Sequence, residues 1–315
     1  MKENLRIVFM GTPDFAVESL KALVEGGYQV VGVITMPDKP AGRGMKLQHS
    51  PVKVYALSQG IPLLQPEKLK DTAFLENLRQ WEADLQIVVA FRMLPEVVWN
   101  MPRLGTFNLH ASLLPQYRGA APINWAIING EKETGVTTFF LTHEIDTGKI
   151  LFQEKVAISE TDTAGSLHDQ LMTIGASLVT KTVDALQNND YEAVGQAELI
   201  SSDRELKAAP KLFKETCRIN WDQPAEMVYN FIRGLSPYPA AWTELTMPEG
   251  EQIVFKVYET APVQAAHDWK PGQVKTDGKT FLHIAVQDGY VSLLSIQPAG
   301  KKRMTAGDFL RGYRA

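Results

Sequence analysis

The sequence contains a single cysteine, Cys217, among 315 residues. A lone cysteine excludes an intrachain disulfide and also excludes zinc sites built from cysteine pairs. The pattern His-Glu-x-x-His is absent as well, so His143, His110 and Asp146 are not expected to bind a metal ion. We therefore predict a protein without a resident metal and without features of an oxidising compartment.

Long hydrophobic runs are also missing. No segment reaches the roughly 18 consecutive apolar residues that a membrane helix needs. The first apolar run, "LRIVFM", is short for a signal peptide and is interrupted by Arg6. With 44% hydrophobic and 22% charged residues, the composition is typical of a globular protein with a sizeable core. We expect a cytoplasmic protein that acts as a monomer and has no membrane partner.

The glycine fingerprint of dinucleotide-binding proteins is absent after the first predicted strand. The turn there is "GTPDF" (Gly11–Phe15) rather than Gly-x-Gly-x-x-Gly. This absence argues against a dinucleotide-dependent oxidoreductase. We interpret the turn as structural, at an edge of a sheet where ligands can bind.

Positive charge is in slight deficit, since the net charge is −4. Taken alone, that value argues against a nucleic-acid partner. The deficit is unevenly distributed, however. Residues 205–315 carry 14 Lys and Arg against 12 Asp and Glu, whereas residues 1–204 carry 18 against 24. This asymmetry is weak evidence for a basic patch on the C-terminal part, and scattered surface charge explains it equally well.

The first two hundred residues alternate strand-like and helix-like patterns, which predicts βαβ units around a parallel, doubly wound sheet. A long amphipathic helical pattern begins after residue 163 and is the last predicted element of this region. The predicted strands are Leu5–Met10, Tyr28–Thr35, Asp84–Phe91, Gly105–His110, Thr134–Leu141 and Gly148–Ile158.

A polar, non-periodic segment, "LISSDRELKAA", follows this region and resembles a linker. Beyond it, one helical pattern and several short strand-like runs broken by Gly, Pro and Asp predict a small β-barrel. We therefore predict an α/β protein with two domains. Residues 1–204 form a Rossmann-like domain and residues 205–315 form a C-terminal β-barrel of the OB type.

Asn108 and His110 lie at the end of a predicted strand, in "FNLHASLLPQYRGAAP". Ligands of open α/β sheets bind outside the carboxyl ends of the strands, and residues two apart on a strand point to the same side. Asp146, in "HEIDTGKI", adds a carboxylate in another turn at that edge. An alternative remains open at this point, namely a capping Asn and a hydrogen-bonded structural His.

An amide, an imidazole and a carboxylate together suit acyl transfer. The amide can donate to a developing oxyanion, while the imidazole moves a proton or stabilises charge and the carboxylate orients it. No covalent nucleophile fits, because Cys217 lies in the other predicted domain and Ser112 lacks the flanking glycines of a nucleophile elbow. We therefore expect direct transfer to an incoming amine.

The segment "NLHASLLPQYRGAAP" followed by "HEIDTGKI" resembles the signature of the folate-dependent formyltransferases, Asn-x-His-x-Ser-Leu-Leu-Pro with a distal Asp-x-Gly. Within that family the likeness to members that formylate methionine on initiator tRNA extends nearly end to end. It includes "IVFMGTPDFAV", "PDKPAGRGMKL", "SPYPAAW" and "LLSIQPAGKKRM". The resemblance implies a formyl transferase that uses 10-formyltetrahydrofolate and initiator methionyl-tRNA.

The resemblance also implies roles for particular residues. Asn108, His110 and Asp146 correspond to the catalytic triad. Residues lining the folate site are expected in "SLLP" and in the loop after the Asp84–Phe91 strand, namely Ser112, Leu113, Leu114, Pro115, Phe91 and Leu94. That loop reads "AFRMLP", about one residue shorter than the family pattern and without its tyrosine and glycine, so Arg92 receives no role.

The loop "MPDKPAGRGMKLQHSPVK" (Met36–Lys53) is long for a simple connection, which is common for functional loops and for mobile surface loops. By resemblance it contacts the acceptor end of tRNA through Arg43 and Lys46, and arginine suits phosphate and base contacts best. On the predicted barrel, Lys211, Lys301 and Lys302, with Lys214 and Arg303, are candidates for contacts to the tRNA backbone. Each of these lysines taken singly is also compatible with an ordinary solvated side chain.

Three alternatives remain. A formyltransferase acting on a nucleotide-linked aminosugar shares the triad and also has a second domain, whereas the family member acting on glycinamide ribonucleotide has one domain and is too short. The loop Met36–Lys53 and the "PAGKKRM" segment favour tRNA over the aminosugar. A nucleic-acid-binding protein with an inactive Rossmann-like domain is disfavoured, because Asn108, His110 and Asp146 are all present.

Overall fold

The computed structural model describes residues 5–41, 46–200 and 205–313, and it divides into two compact units. Unit 1 comprises Met1–Arg118, Gly135–Val156 and His168–Ala208. Unit 2 comprises Gly119–Thr134, Ala157–Leu167 and Ala209–Ala315.

The helices are α1 (Asp14–Glu25), α2 (Pro51–Ser58), α3 (Thr72–Gln80), α4 (Glu96–Trp99), α5 (Pro122–Ile128), α6 (Ala164–Asn188), α7 (Ala225–Leu235) and α8 (Ala306–Gly312), with 3₁₀ turns at Gln196–Leu199 and Glu215–Cys217. In the described ranges, the strands before α6 are β1 (Ile7–Gly11), β2 (Val30–Ile34), β3 (Lys39–Ala41), β4 (Lys46–Gln48), β5 (Leu63–Leu64), β6 (Leu85–Val89), β7 (Thr106–His110), β8 (Arg118–Gly119), β9 (Glu133–Phe140) and β10 (Ile150–Ala157). The described strands after α6 are β11 (Ala208–Ala209), β12 (Ala241–Thr246), β13 (Gln252–Gln264), β14 (Val274–Thr276), β15 (Leu282–Val286), β16 (Gly289–Pro298) and β17 (Met304–Thr305).

Unit 1 is built around a seven-stranded sheet in the order β10-β9-β7-β6-β1-β2-β5. Strands β5, β2, β1, β6 and β7 pair in parallel, and β9 joins β7 antiparallel. Every residue of β1 and β6 is buried, which explains their continuous apolar sequences. The predicted α/β class with a Rossmann-like sheet is confirmed.

The two faces of this sheet pack differently. Val8, Met10 and Val88 point to one face, where they pack against apolar side chains of α3 and of the loop after β6. Because Val88 pairs with Asn108, the side chain of Asn108 lies on this same face, close to the carboxyl edge. The strand order therefore brings the polar end of β7 beside the loop that follows β6.

Unit 2 contains a six-stranded antiparallel sheet in the order β12-β13-β16-β15-β14, with β17 paired to β16. The pairing of β13 with β16 shifts register around Glu259, and such bulges bend a strand and increase its twist. The result is a curled half-barrel, in agreement with the predicted OB-like class. Its core lies between the sheet and helices α7 and α8.

Part of the predicted linker is hydrogen-bonded within unit 1. The side-chain amide of Gln116 donates to the carbonyl of Glu205 (3.0 Å) and its oxygen accepts from the amide of Lys207 (2.9 Å). The backbone amide of Tyr117 donates to the carbonyl of Lys207 at 2.7 Å. Residues 205–207 are thus fixed against the loop that follows β7. Over the described ranges, no helix combines the length and the apolar character needed to cross a membrane.

Candidate active site

His110 ends β7 and is only 6% exposed. Its Nε2 lies 2.9 Å from the backbone carbonyl oxygen of Tyr117. A carbonyl can only accept, so Nε2 carries the hydrogen and donates it. The other ring nitrogen, Nδ1, lies 3.9 Å from Oδ2 of Asp146. The structure therefore brings two of the three predicted catalytic residues together, with the imidazole held between a carbonyl and a carboxylate.

Asp146 lies in the turn between β9 and β10 and has a φ of 56°. This left-handed conformation is uncommon for residues with side chains, although Asp and Asn adopt it more readily than most. Hydroxyl contacts stabilise the same turn, with Thr142 and Thr147 in contact at 3.1 Å and both donating to the carbonyl of Glu144. The carboxylate is thus presented from a defined turn.

Gly148 explains the spacing of the Asp-x-Gly motif. A Cβ at this position would lie 1.6 Å from the carbonyl oxygen of Phe140, so only glycine lets the turn close. The glycine therefore fixes the path of the chain two residues after Asp146.

Replacing Gly148 by alanine should displace the turn that carries Asp146, because the added Cβ overlaps a backbone oxygen. We expect kcat to fall and the free energy of unfolding to drop by about 1–3 kcal/mol, measured by formyl transfer and urea denaturation. Gly312→Ala is the matched control, since a Cβ there meets nothing within 4 Å. Unchanged turnover and stability in Gly148→Ala would contradict this account of the motif.

Asn108 carries a buried side-chain oxygen, Oδ1, that has no hydrogen-bond partner among the described residues. A buried acceptor without a partner costs about 1–3 kcal/mol, so its retention calls for an explanation. Asn108 and His110 lie on the same side of β7, which places this amide on the face that carries the imidazole.

The "SLLP" segment after β7 is held by a hydrogen-bond network. Thr137 donates its hydroxyl to the carbonyl of Ser112 (2.6 Å) and accepts from the amide of Leu114 (3.2 Å), while Gln153 donates to the carbonyl of Leu114 (2.8 Å). The hydroxyl of Ser112 donates to the carbonyl of Gln116 at 2.6 Å, which occupies it in the turn. The bond from Leu114 to Pro115 is cis.

The side chains of this segment are largely buried. Leu114 packs against Phe139 and Ile150, whereas Leu113 is half-buried and lies against Gly135. The segment is therefore firmly positioned next to His110. Its predicted contact with folate remains a proposal.

The loop after β6 contains Phe91 and Leu94, which belong to the apolar cluster on the face shared with Asn108. Arg92, which received no role from sequence, donates to the carbonyl of Glu67 at 2.8 Å and also to that of Pro66. Burial lowers the pKa of its guanidinium. Arg92 thus anchors this unusual loop to the segment that follows β5.

The predicted tRNA loop is described only in part. Arg43 lies outside the described residues, and for Lys46 only the backbone pairing with Ala41 is described. At the base of the β3–β4 hairpin, the carboxylate of Asp38 accepts from Lys53 (2.5 Å) and from Gln65 (3.0 Å). These hydrogen bonds hold the pKa of the Asp38 carboxyl well below its usual range.

In unit 2, the three predicted tRNA-binding lysines are exposed. The ammonium group of Lys211 lies 5.6 Å from the ring of Phe213, which is itself 55% exposed. Lys301 and Lys302 lie in the turn between β16 and β17. Arg303 is engaged in the unit, since it lies over Tyr258 and pairs with Glu259 at 2.5 Å.

Trp242 packs against the core of unit 2 and also lies beside two cationic side chains. Its half-buried ring lies 5.7 Å from the ammonium group of Lys214 and 5.4 Å from the guanidinium of Arg218. Across the sheet, Trp242 is paired with Lys256, and Lys256 is paired with Gln297. Directly opposed residues share one face of an antiparallel sheet.

Gln297 extends this row, because its amide donates to the carbonyl of Lys301 at 2.9 Å. A continuous row of polar and cationic residues with one indole therefore crosses three strands of unit 2. We call it the outer-face row; it consists of Lys214, Arg218, Trp242, Lys256 and Gln297, with the backbone carbonyl of the exposed residue Lys301 at its end.

The role of the Tyr117 carbonyl, the steric role of Gly148 and the hydrogen bonds from Arg118 to Gln196 and from Gln196 to the turn of Asp146 were not predicted. Gly148 carries a signal in the Asp-x-Gly spacing, but the others act through backbone atoms or through residues distant in sequence. Within the described part of the chain, no group of three or more His, Cys, Asp or Glu side chains is placed to hold a metal ion.

Two family profiles match this chain. The profile described as "Formyl transferase" matches residues 5–183, and "Formyl transferase, C-terminal domain" matches residues 211–314. The chain belongs to the formyl transferase family.

Its relatives specify the class further. The chain is 65% identical over 313 residues to the methionyl-tRNA formyltransferase of Bacteroides thetaiotaomicron, covering 99% of this chain and 97% of the relative. It is 58% identical to the enzyme of the same name from Azobacteroides pseudotrichonymphae, covering 98% and 95%. For the enzyme of that name from Porphyromonas gingivalis the identity is 52%, covering 99% and 97%.

Solved structures share the fold at low identity. HypX from Aquifex aeolicus in complex with tetrahydrofolic acid has a TM-score of 0.65 at 18% identity, covering 98% of this chain and 47% of HypX. The chain thus spans about half the length of that protein. WlaRD, a sugar 3N-formyl transferase, has a TM-score of 0.65 at 20% identity, covering 95% of this chain and 100% of WlaRD.

Proposed function

We propose that this protein transfers the formyl group of 10-formyltetrahydrofolate to the α-amine of methionine on initiator Met-tRNA, giving N-formylmethionyl-tRNA for translation initiation. The proposal is based on the carboxyl edge of the unit 1 sheet. His110 lies there between Asp146 and the backbone carbonyl of Tyr117, and Asn108 lies two residues before it on the same strand. The relatives named above bear the name of this activity. Translation takes place in the cytoplasm, where we propose that the protein acts.

The residues at this edge fit a formyl donor. An amide oxygen without a partner lies at Asn108, and the apolar side chains of Phe91 and Leu94 lie on the same face of the sheet. We propose that Phe91, Leu94 and the segment Ser112–Pro115 line the folate site. The donor supplies an electrophilic formyl carbon, whose C–N bond to the folate breaks as the bond to the methionine amine forms. The amine loses one proton in this exchange, and the departing folate nitrogen gains one.

Asn108 and His110 would stabilise the negative charge that develops on the formyl oxygen. The amide N–H of Asn108 is a donor for this oxygen, and such contacts are typically worth about 3–4 kcal/mol. The ring of His110 is oriented for this role, because its Nε2–H donates to the carbonyl of Tyr117 and its Nδ1 faces the Asp146 carboxylate.

We propose that tRNA is recognised by both parts of the chain. Residues 1–204 would form the catalytic domain and residues 205–315 the tRNA-binding domain. Arg43 and Lys46 would contact the acceptor end from a loop whose base is fixed by Asp38 and Lys53. Lys211, Lys302 and the outer-face row would contact the backbone, because cations and aromatic rings side by side suit phosphates and unpaired bases.

Formyl transfer should occur to Met-tRNA and not to a UDP-aminosugar when the two acceptors are offered separately with 10-formyltetrahydrofolate. Because cation contacts to phosphate release counterions, added salt should raise KM for tRNA steeply, and Arg43→Ala should raise it as well. The readout is steady-state formylation of each acceptor.

A matched control for this assay is Lys181→Ala, which removes a cation on α6 that lies 5.1 Å from the ring of Phe152. It should leave KM for tRNA unchanged. Formylation of the sugar alone would keep the chemistry at Asn108 and His110 but overturn the tRNA assignment. Absence of transfer to both acceptors would overturn the proposed activity.

A further inference from the structure

Gln196 is a buried glutamine to which the proposed reaction assigns no role. It begins the 3₁₀ turn Gln196–Leu199 and is 4% exposed. Its side-chain nitrogen donates to two backbone carbonyls of the catalytic turn, those of Asp146 (2.8 Å) and Gly148 (2.9 Å). Both hydrogens of one amide group are therefore used on the segment that presents the carboxylate.

The oxygen of the same side chain accepts hydrogen bonds from the charged guanidinium of Arg118. Nε and Nη2 of Arg118 lie 3.0 Å and 2.6 Å from Oε1 of Gln196. Hydrogen bonds from charged donors are shorter and roughly twice as strong as neutral ones, and they polarise a chain of hydrogen bonds. The guanidinium therefore fixes the orientation of the amide and strengthens its donation to the turn.

These contacts close a ring around His110. Arg118 follows directly after Tyr117, whose carbonyl accepts from Nε2 of His110. Asp146, whose backbone Gln196 binds, faces Nδ1 of the same imidazole. The two chain segments that contact the two ring nitrogens are thus joined to each other through Arg118 and Gln196.

We propose that Gln196, held by Arg118, is the positioning residue that fixes Asp146 against Nδ1 of His110. This inference rests on the proposed function and assigns to it a residue about fifty positions beyond the Asp-x-Gly motif. The backbone beside Gln196 is itself fixed, because Val194 and Ile150 exchange two hydrogen bonds of 2.9 Å. Gln196 therefore reaches the turn from a rigid support.

The chemistry of the site requires an amide at this position. A leucine would remove all four contacts, and a glutamate could still accept from Arg118 but could not donate to the carbonyls of Asp146 and Gly148. Comparing Gln196→Leu with Gln196→Glu therefore separates the contact to the turn from the contact to Arg118.

The first measurement is steady-state formylation of Met-tRNA by both variants. A small displacement of a catalytic group costs up to about 100-fold in rate, so kcat should fall about 10- to 100-fold in each variant. KM for tRNA and for the folate should stay unchanged, because Gln196 contacts neither in this proposal. Gln80→Leu and Gln80→Glu, at an exposed glutamine that ends α3, are matched controls and should retain kcat.

The second measurement needs no substrate. With ¹⁵N-labelled histidine, the Nδ1 resonance of His110 should shift in both Gln196 variants and stay constant in both Gln80 variants. If Gln196→Leu fails to fold, Gln196→Glu and Arg118→Lys can be measured in its place. Arg118→Lys should shift the Nδ1 resonance of His110 less than Gln196→Glu does.

The possible outcomes separate this inference from the proposed function. Folded Gln196 variants with kcat within about twofold of wild type and unchanged His110 resonances would overturn the positioning role. A wild-type protein that formylates neither acceptor would overturn the proposed function, even if the resonances of His110 shift in the variants. Lower kcat together with shifted resonances would establish the role.

Discussion

His110→Gln should lower kcat by about 10²- to 10³-fold while the protein stays folded, because an amide cannot take up or release a proton as an imidazole can. Glutamine keeps a side-chain donor near the carbonyl of Tyr117, so this variant limits the structural damage that His110→Ala would cause. His110→Ala should lose at least as much activity, and it also leaves that buried carbonyl without its donor. The measurement is kcat at saturating tRNA and folate, with thermal unfolding of each variant.

His168→Gln is the matched control for this loss. His168 also contacts a carboxylate, since its Nδ1 lies 3.0 Å from Asp169, but it lies on α6 and packs edge-on against Phe15. We expect kcat to stay within about twofold of wild type. A folded His110→Gln enzyme with near-normal turnover would refute the role of the imidazole.

Asn108→Leu should separate activity from stability. Removing the donor to the oxyanion should lower kcat by about 10²- to 10³-fold. The free energy of unfolding should be equal to or above that of wild type, because the substitution removes a buried oxygen without a partner. This combination is typical of a residue retained for function at a cost in stability. Formylation kinetics and urea denaturation of the same preparation measure both quantities.

Gln86→Leu is a demanding control for Asn108→Leu. Gln86 lies on the same face of the sheet, two residue pairs further from the carboxyl edge, and its Nε2 is also buried without a partner in the described structure. Gln86→Leu also removes the oxygen that accepts from the Thr106 hydroxyl at 3.1 Å, so some stability should be lost, but kcat should be retained. If Gln86→Leu lost as much activity as Asn108→Leu, the effect would come from the apolar substitution in the sheet and not from a catalytic amide.

Much of the fold could be predicted because its signals are local. The continuous apolar runs that became β1 and β6 are buried on both faces, and alternation with helical patterns indicated parallel pairing. The short strands after residue 240 likewise predicted a small β-barrel, and the structure has a curled antiparallel sheet there. The register shift around Glu259 was not predicted, because no local pattern shows it.

The candidate site was predictable where its residues form a motif. Asn108 and His110 share a strand, so their common side follows from the period of two. The motif Asp-x-Gly indicated that a glycine is needed at position 148, but it did not show why. The reason is the close approach to the carbonyl of Phe140, which lies on another segment of the chain. The anchoring of the loop by Arg92 could not be anticipated either, because its partners are backbone carbonyls of another segment.

The sequence by itself determined the class of the sheet and the residue types available for transfer of an acyl group to an amine, and it predicted transfer without a covalent nucleophile. Those properties depend on composition, periodicity and side-chain chemistry, all of which are local. Only the tertiary structure decided which group faces each of the two ring nitrogens of His110. The hydrogen bond to the Tyr117 carbonyl, the left-handed turn at Asp146 and the link from Gln196 to Arg118 join segments far apart in the chain, and hydrogen-bond geometry between such segments exists only once the chain has folded.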